Sequence, residues 1–268
     1  MTPQHDPQDG CMIEDMARRY ARHSSLPEFG CDGVAKLRAA SILVVGAGGL
    51  GSPLLLYLAA AGVGKITVID DDRVDLSNLQ RQIIFDGDSL GLAKVAAARE
   101  RLLRLNPTIE VTAIESVLTK DNATELIGSV DLVVDGSDNF ACRYLVNRVC
   151  FELRKTLVSA AVTGFAGQLT VIAADGKTRP CYNCLFPSND SASDPFATCD
   201  GLGVLGPAAG VMGSLQAVEV IKAILGIGES MIGRLLVYEA LSPSLQEFHY
   251  RIEPSCAVCG GHPDSGLG

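Results

Sequence analysis

The sequence predicts an α/β fold: a mostly parallel sheet that continues into a mixed or antiparallel C-terminal part. Three observations predict it. Residues 39–64 carry no charge and read as a strand, a glycine turn and a helix. Apolar strand-like runs then alternate with helical patterns to about residue 154, the grammar of parallel strands joined by crossover helices. From Thr156 two strands are separated only by a short glycine-containing link, which antiparallel pairing permits and a parallel crossover does not.

The elements follow in order. Residues 13–22 have the pattern of a short helix bearing Arg18, Arg19 and Arg22, which by composition alone is a solvated basic face. Gly30 and Gly33 break the chain, and a connecting helix is expected over 34–40. The uncharged run 39–64 is long enough for a membrane span. Four glycines between Gly46 and Gly51, then Pro53, would break one. The parse is instead a buried strand at 42–45 and a helix at 53–61, with Pro53 in a first turn where a missing N–H costs nothing.

Gly46, Gly48 and Gly51, with Gly49 between them, fit G-x-G-x-x-G in its required setting between strand and helix. Absent side chains let backbone N–H groups approach a phosphate, and the helix N-terminus adds partial positive charge. A second strand, 65–69, ends in Asp70, where a carboxylate meets ribose hydroxyls in Rossmann-like sheets. The pattern implies a bound nucleotide.

Residues 71–82 are polar and rich in turn formers, a loop at a strand's carboxyl end. A helix is expected over 88–105, capped by Asp88 or Ser89 and stopped by Asn106-Pro107. Lys94 falls in its first turns and either reaches back toward phosphates or is simply solvated. A strand at 109–114, a helix at 120–127, a strand at 130–134 and a helix at 140–154 follow. Asp138 and Asn139 suit either Mg²⁺ beside a triphosphate or helix capping. Strands at 157–161 and 168–173, a polar loop at 187–200, a small-residue helix at 206–224 and a strand pair at 235–239 and 246–252 complete the chain. Without repeats or long linkers, residues 13–260 are expected to form one domain, with a nucleotide-binding part at about 34–155, a second part at about 156–260, and tails at 1–12 and 261–268.

The totals narrow the function. Basic residues number 22 against 31 acidic, a net charge of −9 that argues against a general nucleic-acid surface. Aromatics are only 5% and Trp is absent, which disfavours base stacking. Residues 1–12 are polar and read as a disordered tail, not a signal peptide. Nine cysteines without an export signal point to thiols or metal ligands in the cytoplasm.

Cys142 and Cys150 read as core thiols. Cys181-Tyr-Asn-Cys184 and Cys256-Ala-Val-Cys259 are matching pairs, 71 residues apart. Each presents two sulfurs from one tight turn, and two such turns facing each other make a closed tetrahedral site for structural Zn²⁺. A redox dithiol is the rival for either pair alone. Cys199, between the polar loop and the small-residue helix, is either a thiol acidified by a helix N-terminus or an ordinary loop cysteine.

Five separated motifs occur in one order: Gly-Ala-Gly-Gly-Leu-Gly from Gly46, the run from Asp70 to Gln82, Gly-Ser-Asp-Asn ending at Asn139, and the two Cys-x-x-Cys pairs. From Asp15 to Gly260 the chain resembles the ThiF/MoeB/HesA family, relatives of the adenylating domain of ubiquitin-activating enzymes. Gly-Phe-Ala-Gly-Gln-Leu-Thr-Val, Cys-Tyr-Asn-Cys-Leu-Phe-Pro and Gly-Val-Met-Gly-Ser-Leu-Gln-Ala look closer to the ThiF branch. The resemblance implies ATP-dependent adenylylation of the C-terminal glycine of a small ubiquitin-like sulfur carrier protein ending in Gly-Gly, ThiS- or MoaD-like. That step prepares a thiocarboxylate for thiamin or molybdopterin biosynthesis.

By matching motifs, the resemblance puts Gly46, Gly48, Gly49 and Gly51 around the phosphates and Asp70 on the ribose. Asp72, Asn78, Arg81 and Lys94 would line the triphosphate, and Asp138 would hold Mg²⁺. Arg22 matches an arginine lent across a homodimer interface to the neighbouring ATP. Cys199 falls where the ThiF branch has a cysteine that becomes covalently linked to the carrier. No rhodanese-like extension follows Cys259, so the sulfur would come from a separate donor such as a cysteine desulfurase or rhodanese. Two other readings compete: an NAD-dependent oxidoreductase, and a non-catalytic binder of a ubiquitin-like protein. Arg81, Lys94 and Asp138 favour a triphosphate over the diphosphate of a dinucleotide.

Overall fold

The computed structural model describes residues 14–173, 179–187 and 203–260. Eight strands form one sheet: β1 (Ser41–Val45), β2 (Lys65–Ile69), β3 (Glu110–Ile114), β4 (Leu132–Asp135), β5 (Thr156–Thr163), β6 (Ala166–Ile172), β7 (Arg234–Glu239) and β8 (Ser244–His249). Their order is β3-β2-β1-β4-β5-β6-β7-β8. The first five pair in parallel, and β5 to β8 continue antiparallel. The chain leaves β1 toward β2 on one side and returns to β4 on the other. That reversal opens a crevice at the strands' carboxyl ends, where such sheets take ligands.

Among the described residues six helices of more than two turns cover the sheet: α1 (Gly30–Ala39), α2 (Gly51–Ala61), α3 (Lys94–Leu105), α4 (Lys120–Gly128), α5 (Phe140–Glu152) and α6 (Gly206–Leu225). Side chains alternate across a strand, so β1 feeds two cores. Ile42 and Val44 join Leu54, Leu58, Leu102 and Met212 on one face. Leu43 and Val45 join Ile127, Val146 and Cys150 on the other. α6 packs its small residues close: a Cβ on Gly213 would stand 2.4 Å from the Leu50 carbonyl oxygen. Among the described residues α6 alone has the length and hydropathy of a membrane span, and half of that stretch is buried in the fold.

Several boundaries differ from expectation, most of the strand ends by one to three residues. α1 starts at Gly30, not 34: Gly33 packs under the Phe29 ring, and Asp32 lies in the first turn, where the helix dipole favours a carboxylate. α2 starts at Gly51, with Pro53 still in its first turn. The helix expected from residue 88 is two elements. Asp86 caps a separate 3-10 turn, Gly87–Ser89; Gly91, at φ 79°, then turns the chain; α3 begins at Lys94. The N-terminal helix breaks at Tyr20, and Arg22 lies in the separate turn Ala21–Ser24. The expected tails, most of the 187–200 loop and Cys199 lie outside the described residues.

Candidate functional site: a nucleotide-sized crevice

A cavity of about 720 Å³ lies at the carboxyl ends of β1, β2 and β4, within the range of small-molecule sites. Its floor is the glycine turn. Gly46 adopts φ 93°, and a Cβ on Gly51 would stand 2.2 Å from the Gly46 carbonyl oxygen, so this turn closes only with glycine. Among the described residues no acceptor meets the backbone N–H of Gly48, Gly49 or Leu50. These three donors sit at the start of α2, an arrangement suited to an anion.

The next loop supplies charge. Asp70 accepts from the Ala47 N–H at 2.8 Å and the Asp72 N–H at 2.9 Å, which fixes its carboxylate beside the turn. Burial holds the Asp70 carboxyl above its ordinary 3.8, only partly offset by these two N–H groups and by the Lys94 charge. Lys94 is buried, at 5% exposure, and its Nζ lies 2.7 Å from Asp72 Oδ2. Asp72 itself is exposed at 65%, so the pair leans out of the wall toward the cavity. Asn78 closes a capping box with Asp75 that shapes the 3-10 turn Leu76–Asn78. Arg81 donates to the Ser77 carbonyl at 3.0 Å, and its side chain lies against Gly49.

The loop after β4 forms the opposite wall. Asn139 takes the capping role, accepting from the Cys142 N–H at 2.8 Å. Asp138 is left exposed on the cavity wall. Behind it, buried Asp135 accepts from the Ser137 N–H and the Ser159 hydroxyl, each at 3.0 Å. Gln216 of α6 donates to the Asp135 carbonyl at 2.7 Å, and Arg143 to the Ser137 carbonyl at 2.6 Å. Cys142, expected in the core, is half-buried and lines the cavity. Burial and the Asp135 charge push its thiol up to about 12, so it is inert. Cys150 is a core thiol, as expected.

The structure thus brings Gly46, Gly48, Gly49, Asp70, Asp72, Asn78, Arg81, Lys94 and Asp138 to one cavity; Gly51 shapes its floor from behind. Arg22 does not line it. Gln82 ends the Asp70–Gln82 run and Gln216 lies in the Gly-Val-Met-Gly-Ser-Leu-Gln-Ala motif. Neither motif marks Gln82 as buried in the same wall or Gln216 as part of the Asp135–Ser159–Gln216 brace, whose members are far apart in the chain and meet only through the tertiary fold.

The cysteine pairs do meet. Cys181 and Cys256 sulfurs are 3.6 Å apart, and those of Cys184 and Cys259 are 3.2 Å apart. All four lie within 4.8 Å of one another. A tetrahedral ion bonded to each sulfur at ~2.3 Å separates them by ~3.8 Å, so this donor set fits Zn²⁺. Burial and the neighbouring sulfurs push Cys181 up to about 11. At Cys256 burial acts the same way but is outweighed by the Cys259 and Val258 N–H groups, which bring it down to about 7.

Fold and crevice define a doubly wound α/β protein with a cavity of nucleotide size at its switch point. Residues 20–258 match the ThiF family, and the chain belongs to it. It is 45% identical over 248 residues to the sulfur carrier protein adenylyltransferase of Thermus thermophilus, covering 91% of each chain. It is 46% identical over 253 residues to the adenylyltransferase and sulfurtransferase MOCS3-1 of Zea mays, covering 94% of this chain and 53% of that one. The chain therefore spans about half the length of the maize relative. Escherichia coli MccB with MccA-N7isoASN shares the fold at TM-score 0.79 and 22% identity, over 97% of this chain and 84% of that one.

Proposed function

We propose that this chain adenylylates the C-terminal glycine of a small ubiquitin-like sulfur carrier protein, using Mg-ATP. The observation that carries the reading is the buried Lys94 ammonium, set with Arg81 and three unpaired N–H donors around one cavity. Those groups neutralise and position phosphates. The reaction needs that more than a general base, because its nucleophile is already a carboxylate. The carrier's terminal oxygen bonds to the α-phosphorus as the bond to the β-phosphate oxygen breaks. Pyrophosphate departs and an acyl-adenylate remains.

Within this reading Asp70 takes the ribose, and Gly46 to Gly51 take the phosphates nearest it. Asn78, Arg81 and Lys94 take the rest, with Asp72 orienting Lys94. Asp138, bare on the opposite wall, holds Mg²⁺. Arg22, outside its own cavity, serves the neighbouring subunit of a homodimer. Residues 13–260 act as one adenylation domain, and the four cysteines hold a Zn²⁺ that clips the C-terminus to the segment after β6, against α5. The resemblance alone assigns Cys199 to a covalent link with the carrier. A separate protein supplies sulfur, and the setting is cytoplasmic, without nucleic acid or membrane.

The test is pyrophosphate release with purified candidate carriers, each compared with a version lacking its terminal glycine. Release only with the intact tail is expected. Carrier-independent nicotinamide reduction would replace this reading with the oxidoreductase. Carrier binding without ATP–pyrophosphate exchange would replace it with the non-catalytic binder.

A further inference from the structure

We infer that Gln82 is a catalytic hydrogen-bond donor to the α-phosphate, an inference that rests on the adenylylation reading above. Gln82 is 3% exposed yet forms part of the cavity wall. Its backbone is pinned: the N–H donates to the Asn78 carbonyl at 2.9 Å, and the carbonyl accepts from the Phe85 N–H at 3.1 Å. The side-chain Nε2 faces Gly48, 3.8 Å from where a Cβ on that glycine would stand. The amide Oε1 is buried with no partner. A buried amide oxygen without a partner works against folding, and Met would fill the same space without that penalty. A polar group kept at a cost, and turned toward the cradle, points to a ligand.

The position of that ligand's phosphorus follows from connectivity. Asp70 takes its orientation from the Ala47 N–H. A ribose on Asp70 puts the phosphate bonded to it, the α-phosphate, on the next amides along, Gly48 and Gly49. The β- and γ-phosphates then extend toward Arg81 and Lys94. The α-phosphorus is the atom attacked, and charge on its non-bridging oxygens builds as the carboxylate arrives. Around it stand neutral donors: the N–H groups of Gly48, Gly49 and Leu50, and the Gln82 carboxamide. Neutral donors stabilise those oxygens without pairing with, and so diverting, the incoming carboxylate. Gln82 transfers no proton; it donates a hydrogen bond that strengthens as the new P–O bond forms and the bond to pyrophosphate breaks.

The test uses the full chain, a carrier that supports ATP–pyrophosphate exchange in the unmodified enzyme, and the variants Gln82→Met and Gln82→Glu. Loss of one such donor lowers turnover ~100-fold. Gln82→Met is therefore expected to lose about that factor in exchange kcat, with its ATP Kd within about threefold and its thermal midpoint unchanged or raised. Gln82→Glu is expected to be less active still at pH 8. It should recover toward pH 5, relative to the unmodified enzyme at each pH, as the carboxyl protonates and regains a donor. Unimpaired exchange in Gln82→Met, or a Gln82→Glu deficit that does not change with pH, overturns the assignment. An unmodified enzyme inactive with every carrier overturns the adenylylation reading itself, and this inference with it.

Discussion

The parallel part of the sheet, centred on β1 and β4, and its antiparallel end are built differently. β1 and β4 are buried almost from end to end between two helical layers. β7 and β8 have no buried residue, and Leu241, Leu245 and Phe248 stand at least half exposed at that edge. The parallel part needs no staple, because β1 and β4 at its centre are held on both faces and its ligand groups ride on short loops. The antiparallel end has only partial cover and is tied down by four sulfurs that a metal can join. A rigid, buried sheet suits a site that must hold phosphates to a fraction of an ångström. A half-open edge with apolar side chains suits a surface meant to meet another protein.

The sharpest way to test this division is to damage each end separately. Lys94→Ala removes a buried cation from the cavity wall, and exchange is expected to fall ~1000-fold, with metal content at the four cysteines kept. Loss of the metal as well would mean the two regions are not separable. Cys256→Ala is expected to do the reverse. It should lower metal content measured by elemental analysis and destabilise the chain by about 3 kcal/mol, part of the energy of a structural zinc site. In a chain of this size that moves the thermal midpoint down by roughly 6–12 °C. Retained nucleotide binding in the folded remainder would confirm that the clip serves the antiparallel end.

Smaller effects refine the parallel end. Asp138→Asn should raise the Mg²⁺ concentration needed for half-maximal exchange about tenfold, leaving the rate at saturating Mg²⁺ closer to normal; an unchanged Mg²⁺ dependence would remove Asp138 from that role. The smallest effect is on stability. Because burial raises the Asp70 pKa above 3.8 in the folded chain, the folded state binds the proton more tightly than the unfolded one. The resulting stabilisation is present below pH 3.8 and is lost as pH rises through the raised value. Asp70→Asn should therefore gain stability relative to the unmodified, nucleotide-free protein as pH rises past that window, as denaturation midpoints will show. A difference independent of pH would argue against the raised pKa.

Much of this was legible in the chain, and the exceptions share a cause. The strand–glycine–helix unit and the change of sheet character at Thr156 follow from local pattern, and the convergence of the cysteine pairs from the matching of two Cys-x-x-Cys turns and their chemistry. The start of α3 did not: Leu90 and Leu92 mimic a helical apolar face but are largely exposed, and Gly91 breaks the turn between them. That break makes Lys94 the first residue of the helix and buries it, which its helical position alone did not suggest. Asp138 and Asn139 carried two possible roles between them, and only the packed loop divides these, giving the cap to Asn139 and the cavity to Asp138.

By itself the sequence determined the nucleotide turn, the order of the elements and the two tight Cys-x-x-Cys turns, because each depends on residues close in the chain or on backbone freedom that only glycine has. Tertiary structure alone decided which polar groups are buried and which are left unpaired. Gln82, Asp135 and Gln216 gained their surroundings from segments up to 81 residues away. Burial depends on everything packed around a side chain, and no local pattern reports it.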